Sequence, residues 1–515
     1  MAISHVLVIP YPLQGHVLPL MEFARHLAKE GIKVTFVNTE AIHKVLTSNL
    51  VEQDGDKDLL HMVSIPDGLD PQDDRKDYIK VLDSIRETMP SKLEELVEKI
   101  NKEDINKVTC IVSDITVGWA LGVGKKIGIK RVAYCTPAAT TIATKICAQK
   151  WIDDGILNNE GVPLSDDMLQ LSETMPPIKP TKLAWMCGGS VAPPKQAFKY
   201  TKVDAEGAML AERIICDSSI ELEPETFKSF PQLLPIGPLL ASIRHVEQTG
   251  QFLQQDSSCL SWLDQQSKGS VIYVAFGSST VFDQNQFEEI ALGLELSNRP
   301  FLWVVRTGMT NESDGLPYGY VERVGSRVKI VSWAPQQKVL AHPSVGCFMS
   351  HCGWNSSLEG VTNGLPFLCL PYFTDQFLDE IIICDVWKTG LGFEKDEQGI
   401  ITRDEIKSKI ERIFTDKSFK NKALELKEKV INSVQSGGSS YQNLRNIVDW
   451  IQGKEVDANW FPKLFSGFLG VEGEVSWGSK GPFGDVEVCR RNAGEFWPEL
   501  DQSQMNYPCH PPLAP

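Results

Sequence analysis

At 515 residues and 42% hydrophobic content the chain can bury more than one core, and at about 150 residues per domain it divides into two or three. Its 51 Lys and Arg against 67 Asp and Glu leave a net charge of -16, which repels nucleic acid and anionic lipid surfaces but still allows a local pocket for one small anion. Twelve cysteines without a CxxC pair give no sign of a zinc site or disulfide framework and fit a reducing compartment.

The N-terminal MAISHVLVIPYPLQGH lacks a basic region followed by an uninterrupted apolar segment, and no apolar run reaches about 18 residues. The expectation is a cytosolic chain, working as a monomer, without membrane or nucleic-acid partners. HVLVIP reads as a buried strand, LMEFARHLAKEG as a helix and KVTFVN as a second strand, which together make a βαβ unit. VTCIVSD, VGWALGVGKKIG and KRVAYC repeat the theme, so a parallel sheet with helices on both faces is expected. GVGKKIG has Ile127 where a GxGxxG loop would end, and it lies inside the helical pattern, so it reads as a close-packed helix rather than a dinucleotide loop.

From Pro231, PQLLPIGPLLASIRHVEQTGQFLQQDSS loses periodicity in the manner of an interdomain linker. A second α/β series follows: SVIYVAFGS, the helix QFEEIALGLELS, then PFLWVVR, KIVSW, GCFMSH and PFLCLP. The expected division is 1–240, a linker at 241–258, 259–453, and a tail at 454–515 without helical or strand periodicity. The helices TRDEIKSKIERIF and SFKNKALELKEKVINSV, a loop at QSGGSS, and a final helix at YQNLRNIVDWIQG close the second part. In tandem doubly wound sheets, ligands sit beyond the carboxyl ends of the strands, in the cleft between the domains.

SHCGWNSSLEG, Ser350 to Gly360, admits two readings. One is a strand end followed by a capping box, Ser356 and Glu359 satisfying each other's backbone donors. The other is a phosphate site at a helix N-terminus, with His351, Asn355 and Ser356 as added donors. Capping and binding are compatible, so the neighbours decide.

Those neighbours, WAPQQKVLAHPSVGCFMSHCGWNSSLEGVTNGLPFLCLPYFTDQ, resemble the signature box of plant secondary-product UDP-glycosyltransferases. The similarity extends through PYPLQGHVLPLMEFA, VSDITVGWA, PIGPLL and VAFGS, over residues 5 to 453. It implies a GT-B fold: two Rossmann-like doubly wound parallel-sheet domains facing across a cleft, the first taking an acceptor and the second UDP-sugar. It further implies that Trp333 stacks on uracil, Gln336 and Glu359 bind the nucleoside, Ser278, His351, Asn355 and Ser356 lie at the diphosphate, and Trp354, Asp375 and Gln376 approach the sugar. Trp354 with Gln376 is the family pattern for glucose rather than galactose, so UDP-glucose is the expected co-substrate and no resident cofactor is expected.

A lone loop histidine is ordinarily a surface or capping residue, and an aspartate at a strand end ordinarily an N-cap. The resemblance instead makes His16 the general base and Asp114 the residue that fixes its tautomer. It implies direct displacement with inversion on a hydroxyl or carboxyl of a lipophilic small molecule. The Trp, Met and Ile of TTIATKICAQKWIDDG and TKLAWMCGG fit a lipophilic acceptor and a structural core equally well. No Asp-x-Asp stands near the box, so no metal is expected. Two rivals are a nicotinamide-dependent dehydrogenase, which lacks an intact GxGxxG after a strand, and a UDP-sugar-binding protein without transferase activity, which would need no base opposite the donor.

Overall fold

The computed structural model describes residues 3–49, 59–75, 77–173, 175–189, 192–239, 255–310 and 315–456. Most of the 241–258 stretch and nearly all of 454–515 lie outside the described residues. Two parallel sheets carry the fold. The first contains β1 (His5–Ile9), β2 (Lys33–Thr39), β3 (Leu60–Ile65), β4 (Val108–Asp114), β5 (Lys130–Cys135), β6 (Arg213–Cys216) and β7 (Leu233–Pro235), in the order β3-β2-β1-β4-β5-β6-β7. The second contains β8 (Val271–Ala275), β9 (Phe301–Val304), β10 (Val328–Val331), β11 (Val345–Ser350), β12 (Phe367–Cys369) and β13 (Gly390–Gly392), in the order β10-β9-β8-β11-β12-β13.

The unbroken apolar runs follow from burial on both faces. Leu7 and Ile9 of β1 join one core with Ile111 and Ala133, while Val6 and Val8 join the other with Phe36 and Val112. Tyr273 and Ala275 of β8, and Ile272 and Val274 between them, divide in the same way. β7 falls within the stretch read as linker: Leu233 to Pro235 pair with Ile214 to Cys216, three residues being too few to show a period. GVGKKIG belongs to the helix Trp119–Ile127, which Gly128 ends in the left-handed region at φ +73.

The strand order places the site. In the first sheet the direction of winding reverses between β1 and β4, which pair with Ile9 opposite Ser113. In the second it reverses between β8 and β11, with Ala275 opposite Ser350. Each reversal leaves a crevice at the carboxyl ends of the two strands, because the following helices depart to opposite faces.

Two tryptophans bolt the halves together. Trp354 donates its indole N–H to the main-chain carbonyl of Asp217 at 2.9 Å, and Trp387 to that of Leu222 at 2.8 Å. The final helix, Ser439–Ile451, packs Leu444, Ile447, Val448 and Ile451 into a core of the first sheet. Lys130 donates to the carbonyl of Trp450 at 2.6 Å, Asn443 to that of Pro235 at 2.8 Å, and Arg445 pairs with Glu30. Among the described residues no helix is long and apolar enough to cross a membrane.

Candidate active site

Both crevices open into one cavity of about 440 Å³ lined from both halves. All the residues singled out from the sequence line it except Asp114, which stands fully buried behind His16.

His16 lies in the first turn of the helix Gln14–Lys29, rather than in a loop before it, with its N–H on the carbonyl of Leu13. Its Nδ1 donates to Asp114 Oδ2 at 2.7 Å, which leaves Nε2 as the nitrogen without a carboxylate partner. Asp114 closes β4 and also accepts from the Thr116 N–H at 2.8 Å, so it is the N-cap that the sequence suggested and the partner of the imidazole at once. The Thr136 hydroxyl donates to the same Asp114 oxygen at 3.2 Å, 3.0 Å from His16 Nδ1, and the edge of Tyr11 meets the His16 ring at 5.2 Å. Burial opposes the imidazolium, but the charge and hydrogen bond of Asp114, with Asp375 further off, outweigh it and hold the His16 pKa above the ordinary 6.5. Burial likewise opposes the Asp114 carboxylate, yet His16 and the Thr116 N–H keep its pKa below the usual range.

Opposite stands the helix Trp354–Thr362, capped by Gly353, which contributes no side-chain hydrogen bond. The capping box does not form. β11 stops at Ser350 and the helix starts at Trp354, so Ser356 is already inside the first turn, where it cannot be an N-cap. Ser356 Oγ and Glu359 Oε2 instead both accept from Gln336 Nε2, at 2.9 and 2.6 Å, and Tyr273 donates to Gln336 Oε1 at 3.0 Å. The N-terminal N–H groups and dipole of the helix therefore remain available to an anion.

His351 sits between Gly277 and Gly353; a Cβ on either would stand 2.6 Å from its Nε2. Burial pushes its pKa down to about 4, a main-chain bond at Ala275 acting the other way, so near neutral pH it is uncharged. Ser278 follows Gly277, whose carbonyl Arg306 holds at 3.4 Å. Trp333 is half-buried, and its carbonyl accepts from the Asp256 N–H at 2.8 Å. Trp354 lines the cavity with its indole N–H already committed to Asp217, so it brings no free side-chain donor to a ligand. Gln376 accepts from the Tyr372 and Phe373 N–H groups at 2.9 and 3.2 Å, and Asp375 from the Thr374 hydroxyl at 2.9 Å. Asn355 Nδ2 donates to the carbonyl of Gly15, so the helix start in one half touches the residue before His16 in the other.

Of TTIATKICAQKWIDDG, Ile142 and Trp151 are buried in a core of the first half, and Thr141 and Lys145 face the cavity; of TKLAWMCGG, Ala184 and Trp185 do. Sequence reasoning passed over Thr136 and Tyr273. Thr136 directly follows β5, so the rule that ligands gather at strand ends reaches it; Tyr273 is mid-strand and carries no such signal.

The family model described as UDP-glucoronosyl and UDP-glucosyl transferase matches residues 194–430. UDP-glycosyltransferase 83A1 of Arabidopsis thaliana is 43% identical over 458 residues, covering 87% of this chain and 97% of that protein. The 7-deoxyloganetin glucosyltransferase of Gardenia jasminoides is 31% identical over 479 residues, covering 87% and 98%. The structure of Phytolacca americana UGT2 complexed with UDP-2fluoro-glucose and pterostilbene superposes with a TM-score of 0.72 at 26% identity, covering 87% of this chain and 99% of that one.

Proposed function

Because the chain belongs to the plant UDP-glycosyltransferases, enzymes of GT-B fold that move a sugar from a UDP-sugar to a small molecule, we propose that it transfers glucose with inversion and uses His16 as base. The observation that carries this reading is the Asn355 to Gly15 bond, which sets the helix start of one half beside the His16–Asp114 pair of the other. A base and an anion site on facing walls are what displacement of UDP by an acceptor oxygen needs.

In the proposed reaction His16 Nε2 takes the proton from the acceptor hydroxyl. The oxygen then bonds to the anomeric carbon, and the carbon–UDP bond breaks with its electron pair leaving on the diphosphate. An α-linked donor so gives a β-glucoside. Asp114 steadies the imidazolium that forms. The helix at Trp354, with neutral His351, Ser278, Asn355 and Ser356, receives the charge that grows on UDP. Glu359 takes the ribose hydroxyls, Trp333 stacks on uracil, Gln336 holds the nucleoside, and Asp375 and Gln376 meet the sugar, Trp354 packing behind them. We assign residues 1–240 to the acceptor and 259–453 to the donor. The name of the Gardenia relative, 7-deoxyloganetin glucosyltransferase, supports glucose as the sugar and a small molecule as the acceptor.

The test is UDP release from UDP-glucose across phenolic, terpenoid and carboxylic acceptors, with UDP-galactose as the second donor. Acceptor-dependent release favouring UDP-glucose is expected. Binding of UDP-glucose with no turnover by any acceptor would sink the reading.

The pH profile follows from the charges around His16. A base must be neutral, so kcat/KM should rise with pH through a limb above the ordinary 6.5, where the raised pKa lies. Asp114→Asn removes the charge and the strong acceptor, leaving burial to dominate, so the residual activity should show a limb below that of the wild type. An unmoved limb would detach the profile from this pair.

A further inference from the structure

The first half carries a buried ion cluster that the reaction as described does not use. Lys145 Nζ lies 2.9 Å from Asp204 Oδ2, and Arg86 Nη2 lies 3.4 Å from Asp204 Oδ1. Their side chains are 14%, 18% and 7% exposed for Lys145, Arg86 and Asp204, so two cations share one carboxylate away from bulk water. Arg86 is held over the Tyr200 ring at 4.7 Å, and the Tyr200 hydroxyl donates to Asp83 at 2.9 Å. This fixes Arg86 from behind.

Lys145 and Asp204 both line the cavity, beside Tyr11, Ile79, Leu82 and Trp185. A buried ion pair returns little more than its desolvation costs, so apolar residues would serve the fold at this place equally well. A charge on the wall of a binding cavity does select among ligands. Burial works against the ammonium, but Asp204, with Asp375 of the opposite half and Asp114 further off, outweighs it and holds the Lys145 pKa above the ordinary value, so the group stays charged where it lines the cavity. Lys145 is also close enough to His16 for its charge to work against protonation of that ring.

Resting on the base-centred reading above, we propose that Lys145, tethered by Asp204, selects acceptors that carry a carboxylate apart from the hydroxyl that reacts. The substrate class is thus a hydroxy acid with an apolar body: the hydroxyl at His16, the carboxylate on the ammonium, and the body against Tyr11, Ile79 and Leu82. The incoming carboxylate makes a charge-assisted bond to the largely buried Lys145 ammonium.

The experiment compares kcat/KM for matched pairs, 4-hydroxycinnamic acid with its methyl ester and the corresponding benzoic pair. The wild type should favour each acid about tenfold or more, and Lys145→Met should bring the ratio close to one while Lys145→Arg retains most of it. The ratio is unaffected by any loss of folded protein common to both acceptors. Calorimetric binding of the same acids to the UDP-bound enzyme, weakened about tenfold by Lys145→Met, reads the site without turnover. Equal use of acid and ester by the wild type, or a ratio and an acid affinity that Lys145→Met leaves alone, overturns the proposal. A wild type that binds the acids through Lys145 but transfers to no acceptor counts instead against the base-centred reading.

Discussion

His16→Ala should lower kcat by about 10²- to 10⁴-fold while leaving the KM for UDP-glucose within about twofold, because the lost group acts on a proton that moves only in the transition state. The geometry makes this the most damaging change to chemistry: Nδ1 is fixed by Asp114 at 2.7 Å and the edge of Tyr11 meets the ring, so Nε2 is held in one position. Steady-state kinetics with a good acceptor read the effect. A loss below tenfold, or one confined to KM, would remove His16 as base.

Glu359→Ala should be the largest blow to donor binding, raising the KM for UDP-glucose and the Kd for UDP by about 10²-fold with a much smaller change in kcat. A carboxylate facing a ribose diol would accept two charge-assisted bonds, and these are made equally in ground and transition states. Gln336 orients Glu359 at 2.6 Å and is itself held by Tyr273 at 3.0 Å, so the carboxylate is preorganised before nucleotide arrives. Glu359→Gln, which preserves shape and one acceptor, should fall between wild type and alanine. UDP affinity unchanged in Glu359→Ala would put the ribose elsewhere.

The parts of this arrangement visible in the sequence are those written in one short stretch. β1, β4, β8 and β11 are largely apolar runs, so Asp114 at the end of β4, and His16, Ser278 and His351 shortly beyond their strands, could be placed near the carboxyl ends before any coordinates. Four strands escaped: β6 (RIIC), β7 (LLP) and β13 (GLG) lie in stretches without a marked apolar run, and β3, LHMVSI, is only half-buried. The capping box failed because the pattern S-x-x-E is the same whether its serine precedes a helix or stands in its first turn. Only the end of β11 decides which. The Lys145–Asp204 pair, 59 residues apart, depends on the packing of two helices and leaves no local trace.

The two tryptophan bolts have an implication for recombination. Both indoles bind main-chain carbonyls, those of Asp217 and Leu222, so the joint is indifferent to which side chains occupy those positions. A first half taken from a relative could diverge in its acceptor-facing residues and still dock, provided its backbone follows the same path. The transplant must also bring its own copy of the stretch equivalent to Ser439–Ile451, since that helix is packed into the first sheet although it is encoded after the second. A chimera joined once, between the two sheets, would leave a mismatched helix under the imported half; one joined twice would keep both cores intact.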